Sequence, residues 1–134
     1  MNFSPEGDYR GYLQNHTPKI DEIISRIEPK TPCGEFFRRY WHPVALTAEV
    51  GEQPLPVQIL GENLVLFRTT SGKFGLVHRQ CPHRNASLIF GKCEKEGIRC
   101  CYHGWLFAPD GEILETPGEA TDSTAAKNIR DRLR

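Results

Sequence analysis

Two short couples, Cys81-x-His83 and Cys100-x2-His103, hold the side chains of this sequence best suited to grip a metal. The 16 residues between His83 and Cys100 leave room for a β-excursion and a return. Thiolate is soft and charged, whereas imidazole is neutral. Two of each can therefore bind a single tetrahedral zinc ion or a two-iron cluster with a cysteine end and a histidine end. Zinc sites more often run C-x2–4-C and then H-x3–5-H. Here the order is Cys, His, Cys, His. If both cysteines bind one iron and both histidines the other, each loop supplies one ligand to each iron. Cys101 leaves a second register open, because Cys101-x-His103 would repeat the spacing of the first couple.

Such ligands need rigid loops to carry them. Pro82 lies inside the first couple and Gly104 follows the second, so both couples sit at turn signals. Around them the pattern is short and strand-like. "LPVQILGENLVLFRT" reads as two strands about a turn at Gly61-Glu62-Asn63, and Phe74 to His78 as another. Ile98-Arg99-Cys100 reads as a strand, and "WLFAPDGEILETP" as a hairpin turning at Pro109-Asp110-Gly111. Val44 to Val50 is also expected to be a strand. The implied fold is mainly β, a small antiparallel barrel or sandwich, with a short helix before it.

That helix is expected in "TPKIDEIISRIEPKTP", capped by Thr17, with Pro18 in its first turn and Pro29 and Pro32 ending it. Ile20, Ile23, Ile24 and Ile27 share one helical face, expected to pack on its own domain, with docking to another subunit as the alternative. The remaining metal-capable residues read as structural. Cys33 and Cys93 are small packing residues, His42 is a half-buried polar residue, and His16 and His78 belong to the surface. Glu94-Lys95-Glu96 reads as a solvated turn.

At 134 residues the chain fits one domain. Its formal net charge is zero, with Lys and Arg scattered, so no basic field argues for nucleic acid. No apolar run approaches the roughly 18 residues of a membrane span. The first residues lack the apolar stretch of a secretion signal. Five cysteines, an odd number with two adjacent, suit a reducing cytoplasm better than a disulfide scaffold.

The run "CPHRNASL…GIRCCYHGWLF…DGEI" closely resembles the Rieske [2Fe–2S] domain of bacterial non-haem iron aromatic-ring-hydroxylating oxygenase large subunits. The lead-in "GEFFRRYWHPVAL" is similar to the phthalate-dioxygenase-like members. The resemblance covers roughly residues 34 to 120. It implies a leader with a helix at 1–34, a Rieske domain at 35–120 and a linker or tail at 121–134. It implies a Rieske-type [2Fe–2S] cluster with Cys81 and Cys100 on one iron and His83 and His103 on the other. Cys101 then becomes a packing residue, Tyr102 a hydroxyl donor near the cluster, and Trp105 and Phe107 its shield. Asn85 stands where the family commonly has Gly, and Asn tolerates the left-handed backbone such a turn needs.

In respiratory Rieske proteins a disulfide clamps the two loops. Its positions here would be Ala86 and Tyr102, which implies a potential toward the low end of roughly −150 to +300 mV. The family's catalytic iron is held by two His and a carboxylate from a later domain, and no histidine follows His103. The expected role is thus an electron-transfer module of an oxygenase, truncated before its catalytic domain. It would accept single electrons from a reductase or ferredoxin and pass them to a mononuclear iron elsewhere, within a homo-trimer as the family implies. The alternatives are a free-standing Rieske ferredoxin and, in a different class, a Cys2His2 zinc-binding interaction module.

Overall fold

The computed structural model describes residues 19–118. β1 (Leu55–Ile59), β2 (Glu62–Arg68) and β3 (Phe74–His78) form one antiparallel meander. β4 (Lys92–Cys93), β5 (Ile98–Arg99), β6 (Leu106–Phe107) and β7 (Ile113–Glu115) form a second antiparallel sheet in sequence order. Among the described residues the two sheets remain separate ladders and do not close into a barrel. Between them lies one core, in which Val65 and Phe67 from β2 join Ile98, Phe107 and Ile113 from the second sheet. Cys81, Leu88, Cys100 and Trp105 complete it, so two of the expected ligands belong to the hydrophobic core itself.

The hairpins follow from local chemistry. β1 and β2 join through Leu60 and Gly61, both at positive φ (47° and 77°), with Ile59 opposite Glu62. Two central residues at positive φ match the twist of the flanking strands. The turn is therefore tighter than expected, and Glu62 and Asn63 already belong to β2. β6 and β7 join where Ala108 N–H donates to the Glu112 carbonyl at 2.8 Å and Gly111 N–H to the Ala108 carbonyl at 3.0 Å.

The strand expected at Val44–Val50 does not form. Its place is taken by irregular chain and a 3-10 turn at Thr47–Glu49, where the Glu49 carboxylate accepts the Leu46 amide at 2.8 Å. The helix before it is also different. α1 spans only Glu22–Ser25, capped by Asp21 rather than Thr17, and Thr17 and Pro18 lie outside the described residues. Ile20, Ile23, Ile24 and Ile27 are all exposed, so this stripe does not pack on the described residues of its own domain. One turn of helix is too short to bury a face, and the segment is held by polar bonds instead. Pro32 begins a helix rather than only ending one. α2 (Pro32–Phe37) is capped by Thr31, whose hydroxyl accepts the Gly34 amide at 3.2 Å. Arg38, at its end, donates to Glu62, to the Leu60 carbonyl at 2.8 Å and to the Ile27 carbonyl at 3.1 Å. These bonds pin the N-terminal segment to the β1–β2 turn.

Gly97 marks the closest approach in the second sheet. A Cβ there would land on the Phe107 carbonyl, and the β4–β5 turn is closed by Glu94 N–H on the Gly97 carbonyl at 2.8 Å. Gly97→Ala must push β5 from β6, and we expect a loss of about 2–3 kcal/mol in urea unfolding with an unchanged m value. Wild-type stability in that variant would show that the two strands can separate without loss.

Candidate metal centre

Both Cys/His couples sit at hairpin tips. The first hairpin is closed by Leu88 N–H on the Arg79 carbonyl at 2.8 Å and by the Gln80–Ser87 bridge. In the second, Arg99 pairs with Leu106 as the last rung before the tip. The two tips are built alike. Cys81 N–H donates to the Ala86 carbonyl at 2.8 Å and Asn85 N–H to the Cys81 carbonyl at 2.9 Å. Cys100 N–H donates to the Trp105 carbonyl at 2.8 Å and Gly104 N–H to the Cys100 carbonyl at 3.1 Å. The fifth residue of each tip has positive φ, 56° at Asn85 and 74° at Gly104. Asn85 thus adopts the left-handed conformation asked of it, where Gly104 has no Cβ to strain.

This equivalence bears on the register left open by spacing. Matching the turns by their hydrogen bonds puts Cys100, not Cys101, in the place of Cys81. Burial agrees. Ile98 and Cys100 are buried while Arg99 between them faces outward, and Cys101 is exposed. Cys81 and Cys100 are 2% and 3% exposed, and their thiols lie near enough to act on each other electrostatically. All five cysteines are free thiols.

The imidazoles of the two tips also converge. The rings of His83 and His103 lie 4.6 Å apart, centroid to centroid, in an edge arrangement. His83 stacks on Trp105 with an interplanar angle of 3° at 4.7 Å, and Tyr102 leans on His103 at 3.8 Å. Trp105 is 1% exposed and packs on Phe107, so the pair closes the floor beneath the histidines. Tyr102 is largely exposed, its ring against His103. The site is thus two pairs, thiols inside and imidazoles outside. Among the described residues no three Cys, His, Asp or Glu side chains crowd a single point tightly enough to hold one ion.

The electrostatics are compatible with side chains that would take a metal. Burial, first, and the neighbouring Cys100 push the Cys81 thiol up to about 11, against the pull of the His83 and Arg84 amides that point at its sulfur. A metal ion displaces such protons by supplying the positive charge that burial withholds. His103 is held below its ordinary range by partial desolvation, then by His83 and Arg84, which keeps it in the neutral form that ligates. Nδ1 of His83 is buried without a hydrogen-bond partner. A polar atom left so costs about 1–3 kcal/mol, which a metal at that nitrogen would relieve. The donor set present therefore fits an iron–sulfur group with mixed thiolate and imidazole ligands.

The other metal-capable residues lie apart from this constellation. His42 is half-buried and bonds the Phe37 carbonyl at 2.8 Å, His78 is exposed on β3, and Cys33 and Cys93 are partly buried. His16 is outside the described residues. One group has no clear mark in the sequence. Glu94, expected in a solvated turn, receives Nε and Nη2 of Arg99 at 3.0 and 2.9 Å, and Glu115 meets the same Nη2 at 2.9 Å. Arg99 holds the Glu94 carboxyl below its usual range, and the guanidinium is stabilised in turn. The five-residue spacing from Glu94 to Arg99 across a β-turn is the only signal of it.

A family profile described as the Rieske [2Fe-2S] domain matches residues 40–128. The oxygenase subunit of tert-butanol monooxygenase / tert-amyl alcohol desaturase from Aquincola tertiaricarbonis is 48% identical over 125 residues, which cover 90% of this chain and 26% of that protein. The alpha subunit of phenoxybenzoate dioxygenase from Ectopseudomonas oleovorans is 50% identical over 115 residues, covering 85% and 28%. Among solved structures, dicamba monooxygenase bound to dicamba superposes with a TM-score of 0.57 at 34% identity, covering 61% of this chain and 26% of that one. The chain thus spans about a quarter of the length of these relatives. No helix among the described residues is long and apolar enough to cross a membrane.

Proposed function

The chain belongs to the Rieske [2Fe-2S] domain family, and from that premise we propose that it is the electron-relay part of an oxygenase subunit. The observation that carries this reading is the convergence of two like-built hairpin tips, each offering one Cys and one His. Cys81 and Cys100 would hold the cluster from the core side, and His83 and His103 from the outer side. A [2Fe–2S] cluster held there supplies a one-electron couple.

The chain's own residues do the rest. Trp105, Phe107 and Leu88 keep water from the thiol side, being nearly fully buried. The half-exposed imidazoles, beside exposed Tyr102 and Arg84, are the part of the ligand set that a partner can approach. The electron would come from a reductase or ferredoxin and leave for a mononuclear iron in a catalytic domain that relatives more than three times this length have room to contain. Assembly as a homo-trimer and a cytoplasmic setting belong to the same reading, the latter supported by five free thiols. We place the Rieske unit at 35–120, the leader at 1–34 and the tail at 121–134, with α2 bridging the first boundary.

Metal analysis with a redox titration tests the proposal. The expected result is two irons and two acid-labile sulfides per chain, with visible absorption that bleaches reversibly on adding one electron. One zinc per chain and no visible absorption would replace this reading with the structural zinc module.

A further inference from the structure

Loop 100–105 has an anchor outside its own backbone. Arg99 directly precedes Cys100, and its Nη1 donates to the Gly104 carbonyl at 2.7 Å. The same guanidinium is locked from behind by both oxygens of Glu94 and by Glu115. Its four bonds thus join the β4–β5 turn, the ligand loop and β7. Gly104 is the residue after His103, and its amide closes the turn on the Cys100 carbonyl. Fixing both polar groups around Gly104 fixes the peptide from which the imidazole of His103 departs. In the first tip the corresponding residue is Gln80, which is exposed.

We propose that Arg99 is a positioning residue of the metal centre: through the Gly104 carbonyl it sets the orientation of His103, with Glu94 and Glu115 as its brace. This rests on the reading that Cys81, His83, Cys100 and His103 hold a [2Fe–2S] cluster. A charge-assisted bond with a planar fork is directional in a way that an ammonium is not, so charge alone should not substitute for it.

The test compares the iron-loaded wild-type chain with Arg99→Gln, Arg99→Lys and the control Arg38→Gln. Arg38 is likewise multiply bonded, to Glu62 and two carbonyls, but none of its partners lies in a ligand loop. Expected in both Arg99 variants are a broadened EPR spectrum of the reduced cluster and iron loss to a chelator accelerated on the order of tenfold, as for one lost charge-assisted bond. In the metal-free chain the Gly104 amide should exchange faster. Arg38→Gln should lower stability while leaving the EPR line shape and the chelation rate unchanged. If Arg99→Gln does not fold, Arg99→Lys carries the test. Wild-type line shape and chelation rate in Arg99→Lys would overturn the proposal, as would equal broadening in Arg38→Gln. A wild-type chain that takes up no iron would instead overturn the cluster reading beneath it.

Discussion

Cys100→Ser should abolish incorporation of iron and sulfide, whereas Cys101→Ser should leave both at wild-type levels. The two residues are neighbours, and by spacing alone Cys101 is the better match to the first couple. The backbone separates them. Cys100 occupies the first position of a turn whose hydrogen bonds and left-handed fifth residue repeat those of the turn beginning at Cys81. Its side chain lies in the core with that of Cys81, while Cys101, the second residue of the turn, is exposed. Removing a supporting contact of a metal site typically costs about 10–100-fold in affinity, and removing a ligand should cost at least as much. Iron and acid-labile sulfide counted per chain, after anaerobic reconstitution, give the readout. Loss of the cluster in Cys101→Ser, with retention in Cys100→Ser, would reverse the assignment.

The second large effect concerns charge. His103→Cys should keep two irons but shift the reduction potential downward, by on the order of 100 mV or more. Clusters with two imidazoles span roughly −150 to +300 mV, against roughly −400 mV for four-thiolate ferredoxins. An added thiolate places a negative charge where the electron must arrive, and so opposes reduction. His103 is only half-buried, so the shorter side chain leaves no buried cavity of its own. Spectroelectrochemical titration of both proteins measures the difference. A raised potential, or a variant that binds zinc alone, would show that His103 is not a ligand of the reducible iron.

Much of this site is legible in the sequence. The Cys/His couples, their turn signals and the strands at Phe74–His78 and around Pro109–Gly111 are local patterns, and local chemistry decides them. The departures have a common cause. Val44–Val50 is apolar enough for a strand, yet it finds no ladder partner, and Glu49 instead folds back on the Leu46 amide. Pro32 reads equally as an end or a beginning, and Thr31 before it decides for a beginning. The isoleucine stripe has helical spacing, but whether a face is buried depends on what lies opposite, and nothing among the described residues covers it. The different burial of Cys100 and Cys101, and the bond from Arg99 to Gly104, likewise depend on how the chain closes on itself. Residue spacing carries neither, because both are set by the hydrogen bonds of the turns.

Pulsed EPR on the anaerobically purified, dithionite-reduced chain would decide whether the two histidines are ligands, because it counts the nitrogens bound to iron. A two-iron signal of low average g is expected, coupled to two imidazole nitrogens, with one of the couplings lost in His103→Cys. A two-iron signal without nitrogen coupling, or no signal from a folded and colourless chain, would contradict the ligand set Cys81, His83, Cys100 and His103.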